Sequence, residues 1–519
     1  MLKSRFVLSL GAALFASMAF AVTVSTDTTV GDADLATYTE ADAIVIETGA
    51  TLTFSGISSA FTLSAPISGA GTFKATSCNT ISVKGDNSSF SGAFDFTDTA
   101  ANILSATAFG SASVTFTADA KAVALTMKKS ATLENAITIA SKQDKDANYN
   151  IANDCVVSHT GIVTLSPGIG RVLLGTSGGG AVGTMVFSGT LKKPAVKQTV
   201  YLYCPVVFKP GVTLTNLGGS TYFYVNSYSV LKPELDIGGC FANGLSVVKG
   251  ELDFGVANGY TSGILTCGSG SSPYGVVDLC GFDQTIATIQ CPRGSSGKES
   301  SNNFIFTSDD PATLTVSSRF TTSSSGTTAA YARLNGKVSL VCGTDASAAI
   351  CNLDNYGSNN TKASETDGSI IAYNGSVSLD ANARLPNLSA LVVTNQGSIA
   401  VANGENVNSD CELWLSGSGK LSIAADAALS VSHCRYIDAD GVIHYLDAGS
   451  YAGSTGPAAE WLGDAGGTLV VGGGPFAFGC GGYANSFIGE MMPVVSRPFD
   501  CRSACLADPD GRTPVAIEG

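Results

Sequence analysis

The sequence predicts an all-β fold, a parallel β-helix (β-solenoid) built from short stacked strands. Three observations point there. Apolar residues make up 44% of the chain and charged residues only 13%, and a further 60 residues are glycine. Val, Thr, Ile and Phe recur in short alternating bursts, the period of a strand with one buried face, and no window reads as a long capped helix. The turns between bursts are longer and more varied than the two-residue kind that closes an antiparallel hairpin, so the coils are expected to wind one way. A chain of 519 residues would ordinarily divide into several domains. A repeat architecture escapes that limit, because each unit buries its apolar face only against its neighbours.

The first residues predict export. Lys3 and Arg5 form a basic head, an apolar stretch runs from Phe6 to Phe20, and Ala19-Phe20-Ala21 offers small residues where a signal peptidase reads. The expected signal peptide is therefore residues 1–21, with cleavage before Val22. An uncleaved anchor is disfavoured, since Ser9 and Ser17 interrupt a run already short for a bilayer. Residues 22–43 are read as an N-terminal cap, 44–471 as the repeat region, and 472–519 as a cap or attachment tail. No later segment approaches about 18 uninterrupted apolar residues, so no transmembrane segment is expected in the mature chain. A secreted or cell-surface location follows. The net charge of −14, with only 28 Lys and Arg, argues against nucleic acid as a partner.

Strand units are legible in order. Ala43-Ile44-Val45-Ile46 is followed, after Gly49, by Thr51-Leu52-Thr53-Phe54, whose apolar and polar residues alternate. Similar units stand at 81–83, 113–116, 162–165, 313–316, 338–341, 377–379, 398–401 and 429–431. Asn335-Gly336-Lys337-Val338-Ser339-Leu340 returns 39 residues later as Asn374-Gly375-Ser376-Val377-Ser378-Leu379. Glycines precede strands at Gly69-Ala70-Gly71, Gly417-Ser418-Gly419 and Gly466-Gly467, where positive φ lets one strand corner into the next. At roughly 20–25 residues per coil, the repeat region is expected to wind about 17–21 coils, a rod of about 80–100 Å.

Fourteen Cys in an exported chain would usually form a disulfide framework. Their spacing suggests otherwise for some. Cys240, Cys267 and Cys291 stand 27 and 24 apart, Cys411 and Cys434 stand 23 apart, and Cys480 and Cys501 stand 21 apart. Those intervals approach one coil, so these thiols could stack inward as small hydrophobes. A mixture of buried thiols and a few bridges is expected, with Cys501–Cys505 the foremost bridge.

Val277-Asp278-Leu279-Cys280-Gly281-Phe282-Asp283-Gln284-Thr285-Ile286 resembles the Leu-x-Gly-x-x-Gln-Thr-Ile signature of autotransporter-associated β-strand repeat proteins. Gly417-Ser418-Gly419-Lys420-Leu421 is similar to that family's Gly-x-Gly-x-Leu rung. Asp447-Ala448-Gly449-Ser450-Tyr451, leading to Gly466-Gly467-Thr468-Leu469-Val470-Val471, resembles its closing unit. The resemblance is scattered over residues 44–472 and implies a right-handed parallel β-helix carried to the cell exterior. One departure stands out: nothing after Val471 reads as the alternating strands of a membrane barrel.

Candidate chemistry has structural readings beside it. Gly175-Thr176-Ser177-Gly178-Gly179 fits a nucleophile turn but lacks the following helix, so it reads as a Gly-rich corner. Gly417-Ser418-Gly419-Lys420 lacks the first Gly and the final Ser/Thr of a phosphate loop. Asp309-Asp310 could serve as an acid and base on a glycan, yet neighbours on a strand face opposite ways, and Pro311 favours a solvated turn. His159, His433 and His444 are too dispersed for a metal site, and His433 beside Cys434 reads as a strand-edge pair. The sequence thus assigns no catalytic, cofactor-binding or metal-binding residue, and no cofactor. The expected function is a non-catalytic, adhesin-like surface scaffold that meets glycans or other surface proteins. The alternative is a polysaccharide lyase or glycoside hydrolase on the same fold.

Overall fold

The computed structural model describes residues 20–472 apart from 167–169, 177–182, 194–198, 218–222, 227–228, 242–243, 269–274, 292–303, 323–329, 355–362, 453–455 and 463–465. The strands stack in parallel as a β-solenoid of about 15 turns. The lower count than the 17–21 expected has a cause in the register. Turns near the N-terminus take about the expected length, with Phe73 opposite Phe94. In the middle they lengthen: Ile289 stands opposite Phe320, and Phe320 opposite Cys351, 31 residues per turn in each case.

The first part of the rod has three ladders. One is a nine-stranded sheet from Thr28–Val30 to Thr213–Thr215. Beside it run the ladder that begins at Phe61–Leu63 and the one that passes from Ala131–Leu133 to Val156–His159. Past Thr215 the nine-stranded sheet has no successor. Among the described residues, the turns from Phe223–Val225 to Lys420–Ile423 keep two ladder strands, joined in places by bends or short 3-10 turns such as Gly238–Cys240, and a further sheet starts at Ala428–Val431. The two near-identical segments at Asn335 and Asn374 therefore do not sit one above the other. Strand Val338–Cys342 pairs with Ser369–Ala372, whereas Gly375–Leu379 pairs with Ala349–Asp354. Their 39-residue spacing exceeds one turn because it adds a side to it.

The interior follows from alternation. Leu52, Phe73, Phe94, Val114, Ile137, Val163 and Leu191 occupy one inward column, each on the next turn. Phenylalanine rings stack along it, Phe54 on Phe73 at 5.5 Å and Phe73 on Phe94 at 5.3 Å between centroids. The short helix Leu35–Thr39 sets Tyr38 edge-on over Phe54 at 5.6 Å. Corners need glycine for two different reasons. Gly69 holds a φ of +97°, which other residues reach only with strain. At Gly92 a Cβ would lie 1.8 Å from the Gly71 carbonyl oxygen of the turn above, so the tight spacing of turns itself excludes a side chain.

The Leu-x-Gly-x-x-Gln-Thr-Ile segment is a stacking device. Leu279 and Ile286 are fully buried. Gln284 is buried too; its amide oxygen accepts from Gly259 N–H at 2.8 Å, and its amide nitrogen donates to the Val256 and Phe282 carbonyls at 2.9 and 3.2 Å. One polar side chain thereby satisfies the backbone of the preceding turn.

The winding changes sense at the far end. Strand His433–Ile437 pairs antiparallel with Ile443–Tyr445, and Gly449–Ala452 pairs antiparallel with Thr468–Val471. Residues 1–19, the tail after 472, and with it Cys480, Cys501 and Cys505, lie outside the described residues, as does Ser177 of the Gly-rich corner.

One polar residue lies deep inside. His159 continues the inward column Leu133–His159–Phe187–Phe208, stacked on Phe187 at 5.0 Å, with Nε2 3.2 Å from the Tyr149 hydroxyl. Burial pushes its pKa down to about 3. The unfolded chain takes up that proton near pH 6.5. Stability from a neutral His159 is therefore present above about pH 6.5 and is lost as pH falls toward 3. His159→Phe is expected to flatten the slope of melting temperature against pH between 6 and 4, whatever its effect on absolute stability; an unchanged slope refutes the assignment. A second expectation concerns Leu279. Leu279→Asp buries an unpaired carboxylate and should destabilise the rod by roughly 3 kcal/mol or more, read from denaturant unfolding.

Candidate functional site

Outward positions carry what chemistry the rod has. On the nine-stranded sheet, Thr29, Thr53, Lys74, Asp95, Thr115, Thr138, Thr164, Lys192 and Thr215 form one column, a residue per turn. At about 4.8 Å per rung the column runs for about 38 Å. Lys74 and Asp95 pair across turns at 3.7 Å, a half-exposed contact of little energetic weight. On a neighbouring ladder Tyr201 stacks on Tyr224 at 5.0 Å, and Arg171 lies 5.8 Å over Tyr201 while its guanidinium grips Asp146 at 2.8 and 2.6 Å.

A different face carries apolar side chains at outward positions. Val341, Ile371 and Val392 point outward on successive turns yet are buried, forming a small second apolar cluster with Ala390. Trp414 extends it, its indole N–H donating to Glu412 at 2.7 Å and Arg435 lying over its ring.

The densest titratable cluster lies on strands Glu251–Asp253 and Val276–Asp278. Leu252 and Val277 turn inward, so Glu251, Asp253 and Asp278 face out, with Asp253 directly opposite Asp278 on the next turn. Lys232 occupies the equivalent place one turn earlier. Burial first, then the charges of Glu251 and Asp278, push the Asp253 carboxyl up to about 7, with Lys232 opposing. Glu251 is raised as well, by burial and by Asp278, and a hydrogen bond from Asp253 holds it partly back. Both carboxyls are therefore held above their ordinary range. Cys280, next to it, is no nucleophile: burial and the neighbouring carboxylates push its thiol up to about 12.

The candidates from sequence separate in space. Asp309 and Asp310 occupy an exposed bend, tied by the Ser308 hydroxyl, which accepts from Gly281 N–H at 2.9 Å and donates to the Asp310 carbonyl at 2.6 Å. In the Gly417–Lys420 corner the Lys420 ammonium donates to the Glu460 carbonyl, and the Gly417 carbonyl accepts from Trp461 at 3.2 Å. His433 stands opposite Glu412, while His444 pairs with Asp438 at 2.7 Å. Among the described residues no three His, Cys, Asp or Glu side chains converge as a metal site. Sequence reading missed the Glu251–Asp253–Asp278 cluster. Its signal was an acidic residue next to an inward apolar one, at Leu252-Asp253 and Val277-Asp278, 25 residues apart.

A carboxyl held near 7 in the fold and near 4 in the unfolded chain lowers stability as pH rises from about 4 through 7. Asp253→Asn is expected to raise stability at pH 8 by about 1 kcal/mol, after allowance for solvent screening, and to change it little at pH 4. Paired thermal melts at the two pH values check this.

In comparisons with known proteins, no protein family, curated protein or solved structure matches the chain. The likeness to autotransporter-associated repeats therefore rests on its short motifs and on the parallel winding they accompany.

Proposed function

We propose that the chain is an exported, cell-surface or extracellular scaffold that presents the long faces of its solenoid to glycans or surface proteins and catalyses no reaction. The observation that carries this reading is the outward column from Thr29 to Thr215. Six of its nine side chains are threonines, with Lys74, Asp95 and Lys192 between them, and the column offers a regular face over about 38 Å, a shape suited to extended contact. Export is supported by the basic head, apolar stretch and Ala19-Phe20-Ala21.

A second reading, glycan cleavage, has one observation in its favour: Asp253 keeps its proton up to about neutral pH beside Glu251. Geometry speaks against it. Asp253 stands opposite Asp278 on the adjacent rung, about 4.8 Å away, closer than the roughly 5–9.5 Å at which an acid and a base or nucleophile flank a glycosidic bond.

One experiment separates the two. Purified protein is immobilised over a panel of acidic and neutral polysaccharides, and both retention and chain length are followed. Retention that drops at least tenfold in a Thr115→Arg, Thr138→Arg variant of unchanged melting temperature supports the scaffold. Chain shortening that disappears in Asp253→Asn, Asp309→Asn or Asp310→Asn overturns it in favour of the enzyme.

A further inference from the structure

We infer that two pairs of core cysteines, Cys267 with Cys291 and Cys342 with Cys351, are disulfide-forming sites that close while the chain folds. The first pair ties one turn to the next. Thr266 and Gln290 are opposite each other on adjacent turns, so Cys267 and Cys291, which follow them, share a rung position. Rungs lie about 4.8 Å apart, inside the roughly 4.4–6.8 Å Cα separation that a disulfide tolerates. Both side chains are buried in the core at 1% exposure, each a free thiol on the same side of its rung.

The second pair bridges a corner within one turn. Cys342 ends strand Val338–Cys342, and Cys351 lies in Ala349–Asp354 beyond the Thr344–Ser347 bridge. Both are fully buried, and the Cys342 thiol donates to the Ser376 carbonyl at 3.3 Å, beside the rung where Cys351 stands opposite Val377. Other inward-lying thiols also meet backbone carbonyls. Cys78 donates to the Phe54 carbonyl at 3.4 Å, and Cys240 to the Leu214 carbonyl at 3.5 Å.

Burial decides the timing. Attack on a disulfide needs a thiolate, and desolvation holds Cys267 and Cys351 well above the ordinary thiol range. The oxidant, a small-molecule or protein disulfide, must therefore meet these residues before the turns close. One cysteine thiolate attacks it, forming a mixed disulfide and expelling one thiolate. The second cysteine then displaces the other half. Two electrons pass to the oxidant, two protons from the cysteines end on the two released thiols, and one S–S bond remains in the core. An oxidising compartment rests on the export reading above; the pairing itself is tested in a redox buffer and does not.

The test refolds the reduced, denatured full chain in mixed reduced and oxidised glutathione, then maps peptides without reduction. A second sample is folded under reductant first and meets the same buffer only in its native state. The expected result is 267–291 and 342–351 linked peptides in the first sample, with all four residues still thiols in the second and Cys78 and Cys240 thiols in both. Reduction of the first sample should lower its melting temperature by about 5 °C or more, a shift absent when all four cysteines are replaced by alanine. Free thiols at all four positions after oxidative refolding, or links scattered to Cys78 and Cys240, overturn the pairing. Rapid linkage in the native sample overturns the order of events.

Discussion

The whole rod depends on the spacing of parallel backbone hydrogen bonds, which sets each turn about 4.8 Å above the last. That distance is shorter than most side chains are wide. Residues at one ladder position must therefore stack like on like, as Phe73 does beneath Phe94 and Tyr201 beneath Tyr224. The same spacing empties the corners, because a Cβ at Gly92 would meet the carbonyl of the preceding turn. It also brings groups together whether or not their charges agree. Asp253 meets Asp278 because the backbone places it there, and the proton it retains relieves part of the repulsion.

Much of this was legible in the sequence, and what was missed has a common cause. Strands such as Thr51–Ser55 announce themselves, since Leu52 and Phe54 alternate with threonines. Glycine corners are equally plain. Alternation fixes which way a residue points but not what stands above it, since that depends on the length of every intervening turn. The opposition of Asp253 and Asp278 across 25 residues, and that of Thr266 and Gln290 that puts Cys267 beside Cys291, are of this kind. The repeat of Asn335–Leu340 at Asn374–Leu379 is of the same kind, since its 39 residues amount to one turn plus a side and put the copy on a different ladder. Where both faces of a strand are covered, alternation disappears. Val338-Ser339-Leu340-Val341-Cys342 is buried throughout, and the outward role of Val341 cannot be read from its neighbours.

The polar groups inside and outside the rod answer different demands. Gln284 and His159 lie within and serve the stack, one by bonding the backbone of the turn above and the other by filling an aromatic column. The outer hydroxyls of Thr53, Thr115 and Thr138 meet no such requirement and leave a surface of uniform height. A partner that recognises such a face reads a repeat rather than a point, so contact strength would grow with the number of rungs engaged.

The loss of the third ladder after Thr215 gives the rod two mechanical regimes. A load along the axis pulls across the interstrand hydrogen bonds, and each turn resists through as many ladders as it has. Among the described residues the N-terminal section shares that load among three ladders, while the section from Phe223–Val225 to Lys420–Ile423 carries it on two. Under tension the molecule would open from its middle toward the far end first, leaving the threonine-faced prism wound.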